Sequence, residues 1–107
     1  MSKKIPEKTK IKEAESTAGE KYILNLFVTG ILPNSARAVI NLKEICEKYL
    51  KGRYELEIID IYQQPSLALK ENILAVPVLV KRFPLPEARL IGDMSDIENV
   101  LKGLDII

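Results

Sequence analysis

The sequence predicts an α/β fold in a single domain, and three features of the chain lead to that prediction. A segment rich in strand formers ends at a glycine, a long helical pattern follows it, and an alternating apolar segment comes next. A strand, a helix and a strand at this spacing form a right-handed βαβ unit with two parallel strands. From residue 63 onward the chain consists of shorter segments of both types. A length of 107 residues suits one domain.

The βαβ unit is read from residues 21–62. The segment KYILNLFVTG is rich in strand formers, and YELEIIDIY alternates before it becomes fully apolar. Between them, LPNSARAVINLKEICEKYLKG is predicted to form a helix that begins at Asn34 or Ser35 as N-cap and ends near Gly52. One apolar stripe follows the face of that helix through Val39, Leu42, Cys46, Tyr49 and Leu50.

In the C-terminal half, residues 63–107, the spacing of apolar residues is less regular. After a break at QQP, a short helix is predicted in SLALKENILA, a strand in VPVLVKRF, a turn at PLP and a strand in ARLIGD. The last helix lies in MSDIENVLKG, where Ser95 and Glu98 have the spacing of a capping box. The predicted order is therefore β-α-β-α-β-β-α.

Residues 1–20 are charged, poor in apolar side chains and without a sustained period. That composition is typical of a flexible N-terminal arm, so we expect the domain to occupy residues 21–107. The lysines of the arm leave open a contact with an acidic partner, although a solvated tail is the simpler interpretation.

Composition and motifs exclude several classes of function. Histidine is absent, which removes the commonest general base, and the single cysteine, Cys46, falls in the apolar stripe of a helix. Asp93 and Asp96 are too few to predict a metal site, and no phosphate-binding loop occurs. We therefore expect no enzyme activity, no cofactor and no metal.

The charge and hydropathy of the chain predict where in the cell the protein is located. A net charge of +1 gives no general attraction to nucleic acid or to a membrane. The longest apolar runs fall short of the roughly 20 residues that span a bilayer, and the N-terminus lacks the apolar core of a secretory signal. Together with a single cysteine, this indicates a cytoplasmic protein.

Pro77 lies inside the apparent strand VPVLV, where a proline cannot donate to a sheet ladder. The element order resembles that of a thioredoxin-like sandwich, in which a cis-proline stands at the start of the third strand. The resemblance implies that Val76–Pro77 is that cis-proline pair. The turn after the first strand, TGILPNSARA, lacks the Cys-x-x-Cys pair that gives thioredoxins their redox chemistry.

Four blocks of sequence resemble the KaiB family in order and spacing: YILNLFVTGILPNSARAVINLKEI, IIDIYQQPSLA, ILAVPVLVKRFPLPEARLIGDMSD and VLKGLDII. The resemblance covers residues 22–106. It implies a binding protein whose partner is a KaiC-like hexameric ATPase. It also implies a fold switch of the C-terminal half between a resting homo-oligomer, a dimer or tetramer, and a thioredoxin-like monomer that binds the ATPase.

The resemblance also assigns roles to single residues. Gly103 and Asp105 match the control point of the fold switch, and Tyr22 matches an aromatic residue that contributes to the resting oligomer. Arg37 and Arg89 match part of a basic patch that binds the partner. The short C-terminal segments, with strand-forming Ile106 and Ile107 directly after a helix, agree with two competing packings.

Glu55 and Glu57 depart from the family pattern. Clock members that bind KaiA have an alanine and a lysine at these positions, and an acid in place of a base exchanges attraction for repulsion. This argues against KaiA as a partner and favours a timing or stress-response role. Two other classes stay open, a thioredoxin-fold redox protein and a sensor module like the input domain of SasA-type kinases.

Overall fold

Seven elements follow one another in the computed structural model, which describes residues 20–30 and 32–107. They are β1 (Tyr22–Val28), α1 (Pro33–Tyr49), β2 (Tyr54–Asp60), α2 (Pro65–Lys70), β3 (Val78–Phe83), β4 (Ala88–Ile91) and α3 (Ile97–Gly103). This confirms the predicted order. The predicted arm, residues 1–20, lies outside the described residues except for Glu20.

The four strands form one mixed sheet in the order β2-β1-β3-β4. Strands β1 and β2 are parallel, with Tyr22 opposite Tyr54, while β3 is antiparallel to both β1 and β4. The two halves of the chain therefore meet where β1 pairs with β3. This arrangement confirms the predicted α/β fold class.

Each face of the sheet buries its own apolar cluster. On one face, helices α1 and α3 pack on β1 through residues such as Leu42, Cys46 and Leu101. On the other, Phe27, Ile59, Val78 and Val80 are buried beneath the α2 segment. β1 contributes to both clusters, since its alternate side chains point to opposite faces.

The helix caps differ from those predicted. Helix α1 is capped by Leu32 with Pro33 in its first turn, and the hydroxyl of Ser35 accepts a hydrogen bond from the Thr29 N–H at 3.1 Å. Neither Asn34 nor Ser35 is the N-cap, because a proline, whose fixed φ suits the first helical position, starts the helix earlier. Gly52 has a φ of 79°, as expected for a glycine just beyond a helix C-terminus.

The predicted capping box of α3 is also wrong. Asp96 is the N-cap, and its carboxylate accepts from the Asn99 N–H at 3.1 Å. Asp93 accepts from the Ser95 N–H in the preceding turn. In residues 20–30 and 32–107 no group of three or more acidic or thiol side chains could hold a metal ion, and no helix there is long and apolar enough to cross a membrane.

The thiol of Cys46 is fully buried in the first cluster. Burial, and less strongly the neighbouring Glu47, raises its pKa from 9.0 to about 12. The fold thus favours the neutral thiol. This stabilises the folded state below about pH 9, and the contribution is lost as the pH rises from about 9 to about 12.

We expect Cys46 to resist alkylation at pH 8, because its thiolate fraction is roughly a thousandfold below that of an unperturbed thiol. Iodoacetamide labelling, followed by mass spectrometry, should be far slower in the folded chain than in urea. A Ser66→Cys variant, whose new thiol is on an exposed position of α2, should label rapidly beside it. Labelling of Cys46 at the unfolded rate would contradict its buried position.

Candidate partner-binding face

The cis-proline segment lies at the end of the sheet where β3 begins. The Val76–Pro77 peptide bond is cis, and β3 begins at the next residue. Pro77 is fully buried, and its carbonyl accepts the N–H of Gly92 at 3.1 Å. Gly92 follows β4 directly and has a φ of 126°, a backbone conformation that favours glycine. The ends of β3 and β4 are thereby joined beside Pro77.

Arg37 connects this end of the sheet to α1. Its Nε lies 3.1 Å from the Asp93 carboxylate, and Asn41, one turn later on the same helix, donates to the Asp93 carbonyl at 2.9 Å. Hydrogen bonds from Ser95 and from Arg37 lower the pKa of Asp93. Arg37 therefore orders the loop after β4, while its side chain remains more than half exposed.

Arg89 fastens a second loop, the one that leads into β3. From β4 it donates to the carbonyls of Glu71 and Asn72 at 2.7 and 3.5 Å, just beyond the last residue of α2. The Glu71 carboxylate is held in turn by Arg82 at 2.9 Å. The loop between α2 and β3 is thus fastened to β4 by a guanidinium group that satisfies main-chain oxygens.

An apolar hollow lies between these anchored loops. Leu74 and Ile91, which are 88% and 72% exposed, line it together with Ile73, Val78 and Arg89. Its volume is about 370 Å³. We call the hollow and its two loops, residues 71–76 and 89–93, the proline-end face. The structure places Arg89 in the hollow itself and links Arg37 to it through Asp93.

The C-terminal segment is fastened at the other end of the sheet. The hydroxyl of Tyr22 donates to the Leu104 carbonyl at 3.0 Å, and the Lys81 ammonium lies 3.0 Å from the Asp105 carboxylate. Lys81 is only 1% exposed, although Asp105 itself is largely solvated. We call these two contacts the C-terminal clasp. Burial raises the pKa of Tyr22, an effect that nearby Arg53 opposes.

The residues matched to the fold switch and the oligomer belong to this clasp or lie against it. Asp105 has a φ of 61°, and a methyl group at Gly103 would come within 2.3 Å of Leu90 on β4. Asp105 thus has a backbone conformation that few side chains adopt, and Gly103 leaves room for Leu90 where α3 meets β4. Tyr22 faces the interior, with 3% of its surface exposed.

Glu55 and Glu57 lie on β2, at the edge of the sheet opposite β4. Both are exposed, and Lys21 forms an ion pair with Glu55. The structure therefore keeps these acids apart from the proline-end face.

Two features of the structure were not predicted from the sequence: the buried charge of Lys81 and the exposure of Leu74 and Ile91. Sequence reasoning did not single out Lys81, although a lysine inside the run VLVKRF is a signal that a buried strand contains a charge. It also missed the exposure of Leu74 and Ile91. Their exposure depends on which face of a short segment packs, and an apolar run by itself does not show that.

Comparison with known proteins relates the chain to one family. The family model described as KaiB domain matches residues 25–106. The circadian clock oscillator protein KaiB of Prochlorococcus marinus subsp. pastoris is 52% identical over 90 residues, which is 84% of this chain and 84% of the relative. The protein of the same name in Synechococcus elongatus is 51% identical over 86 residues, 80% of this chain and 84% of the relative.

Solved structures confirm the thioredoxin-like fold. The N-terminal domain of Synechococcus elongatus SasA superposes with a TM-score of 0.66 at 23% identity, covering 90% of this chain and 93% of that domain. The thioredoxin Deadhead of Drosophila melanogaster gives a TM-score of 0.65 at 18% identity, covering 82% and 85% of the two chains. At such identities the similarity concerns the fold alone.

We expect Arg89→Lys to loosen the loop between α2 and β3, although it keeps the charge, because an ammonium group cannot reproduce the guanidinium's forked contacts with two carbonyls. Amide hydrogen exchange of residues 72–75 should accelerate by about tenfold. Lys102→Arg, on exposed α3, is the control and should leave that loop unchanged. Unaltered exchange in Arg89→Lys would show that other contacts hold the loop.

Proposed function

The chain belongs to the KaiB family, and on that premise we propose that it is a non-enzymatic regulatory protein that binds a KaiC-like hexameric ATPase. The binding form is the thioredoxin-like fold described above. The protein acts in the cytoplasm, in a clock, timing or stress-response role, and it does so without KaiA. The observation that carries the proposal is the proline-end face, where exposed apolar side chains are held between two loops that arginines anchor.

The composition of the proline-end face suits a protein partner. Leu74 and Ile91 expose large apolar surfaces side by side, and burial of such groups supplies most of the free energy at a small interface. The loops are held by hydrogen bonds to Arg37 and Arg89, which lowers the conformational entropy lost on binding. The arginine charges at the rim add attraction to an acidic surface.

The redox alternative requires a reactive thiol at the turn after β1. The only cysteine of the sequence is Cys46, in the fourth turn of α1, where it is buried and its pKa is raised to about 12. A thiol in that state is a poor nucleophile. This supports binding over thiol chemistry, even though thioredoxins share the fold.

The acids of β2 support the exclusion of KaiA. Glu55 and Glu57 are exposed on an edge strand, where a partner's strand would add its main chain. A partner that favours an alanine and a lysine at these positions would meet two carboxylates in their place. The expected consequence is repulsion and slow association.

Fold switching and a resting homo-oligomer, a dimer or a tetramer, complete the proposal. Gly103 and Asp105 make contacts that depend on the packing of α3, so substitutions there change the stability of this fold directly. Tyr22 is buried here, and its role in an oligomer requires that the C-terminal segment leave its place over β1. The two roles are thus coupled through the same segment.

We expect Leu74→Ala and Ile91→Ala each to weaken binding to a KaiC-like ATPase ring by about tenfold or more, because both side chains are exposed in the chain alone and buried at the interface. Binding to the immobilised ring can be measured by biolayer interferometry. Leu69→Ala and Ile40→Ala also truncate exposed apolar side chains, but lie outside the proline-end face, and should bind normally.

The association rate gives a second measure of partner binding at the proline-end face. Arg37→Gln should slow association, and the difference from the unchanged chain should shrink at high salt, as is typical of rim charges. Normal binding by the Leu74 and Ile91 variants, together with loss of binding in Ile40→Ala, would place the interface elsewhere.

A further inference from the structure

We propose that a cleft between the first half of α1 and the end of β2 binds a small organic cation that carries an apolar body. The cleft has a volume of about 570 Å³, which is within the range of pockets that hold small molecules. It lies at the same end of the sheet as the proline-end face but shares no lining residue with it. The proposal is therefore independent of the partner that the proline-end face meets.

The cleft exists because α1 packs on β1 and leaves the end of β2 uncovered. Leu26 of β1 is opposite Ile58 of β2, and Val28 is opposite Asp60. Leu26 is fully buried, whereas Ile58 is 37% exposed. Ile58 and Asp60 are two residues apart, so both face the open side of the strand. The ends of parallel strands are a common place for ligands to bind in α/β folds.

Apolar side chains form the walls of the cleft. Ala36, Val39 and Ile40 follow one side of α1 at helical spacing, and Val28 and Ile58 belong to the strands. Ile40 is 58% exposed, so it adds to the apolar surface that meets water here. An apolar body placed between Ile40 and Ile58 would remove that surface from water and would be held by its burial.

The Asp60 carboxylate is the polar group of the cleft, and the chain holds it in place. Its Oδ1 accepts the Tyr62 N–H at 2.8 Å, while the Asp60 carbonyl accepts from the main chain of Gln63 and Gln64 at 3.0 Å each. Its Oδ2 lies beside Gly30, where a methyl group would come within 3.0 Å of it. The carboxylate is thus oriented before a ligand arrives, which lowers the entropy lost on binding.

The charge of the cleft selects the class of ligand. Within residues 20–30 and 32–107 no lysine or arginine forms an ion pair with Asp60, and none lines the cleft. An anion would therefore meet an uncompensated carboxylate, and a purely apolar molecule would cover the carboxylate without pairing it. A protonated amine or amidine donates a charge-assisted hydrogen bond to Oδ2 while its apolar part contacts Ile40 and Ile58.

Benzamidine is the probe for this site, because it joins an apolar ring to an amidinium group that is protonated at neutral pH. Titrated into the isotope-labelled full chain, it should shift the NMR signals of residues 35–40 and 58–64 with a Kd of about 1 mM. Benzamide, a neutral molecule of nearly the same shape, should bind about tenfold more weakly. Benzoate should leave these signals in place.

Two variants separate the carboxylate from the apolar walls. Asp60→Asn keeps an oxygen that can accept the Tyr62 N–H but removes the charge, so the affinity for benzamidine should fall by about tenfold while benzamide binds as before. Ile40→Ala should weaken the binding of both molecules. Glu44→Gln, on an exposed position of α1, is the control for Asp60→Asn and should bind benzamidine normally. The signals of β3 and α3 report that each variant is folded.

Three results would overturn the proposal. Equal affinities for benzamidine and benzamide, or unchanged benzamidine binding in Asp60→Asn, would show that the carboxylate does not recognise the cation. The absence of shifts around the cleft at millimolar benzamidine would show that the cleft is not a binding site. Acetyl-arginine amide is the second probe: if it binds more tightly than benzamidine, the cleft receives an arginine side chain of a protein, and the small-molecule assignment is wrong.

Discussion

The C-terminal half of this fold depends on a lysine that the sheet buries. Lys81 is 1% exposed on β3, between β1 and β4, and a charge in that position is tolerated only when an opposite charge compensates it. Asp105 supplies the compensation from a residue beyond α3, at 3.0 Å. The last residues of the chain and the interior of the sheet therefore stabilise each other.

The C-terminal clasp is connected to the proline-end face through α3 and β4. Helix α3 and strand β4 meet where Gly103 approaches Leu90, and residues 91–93, which follow Leu90, are part of the proline-end face. The contact between α3 and β4 thus lies between the C-terminal clasp and the hollow. Arg37 and Arg89 anchor the two loops of that face, and both side chains stay partly exposed.

The sequence predicted the elements whose patterns are long. Helix α1 and strands β1 and β2 follow from periodicity, and the order of all seven elements follows from the breaks between them. The caps were wrong because Pro33 and Asp96 compete locally with Ser35 and Ser95. The C-terminal clasp could not be predicted from local pattern, since Lys81 and Asp105 are 24 residues apart and meet only after α3 has packed. The exposure of Leu74 likewise depends on tertiary packing.

A double-mutant cycle on the C-terminal clasp tests this dependence most directly. Asp105→Asn leaves Lys81 buried without a counter-charge and should lower the free energy of unfolding in urea by about 1–3 kcal/mol, the solvation of Asp105 keeping the loss below that of a fully buried pair. Lys81→Met removes the buried charge, so that in its background Asp105→Asn should cost almost nothing. If the two changes instead add independently, the ion pair does not hold the C-terminal half in place.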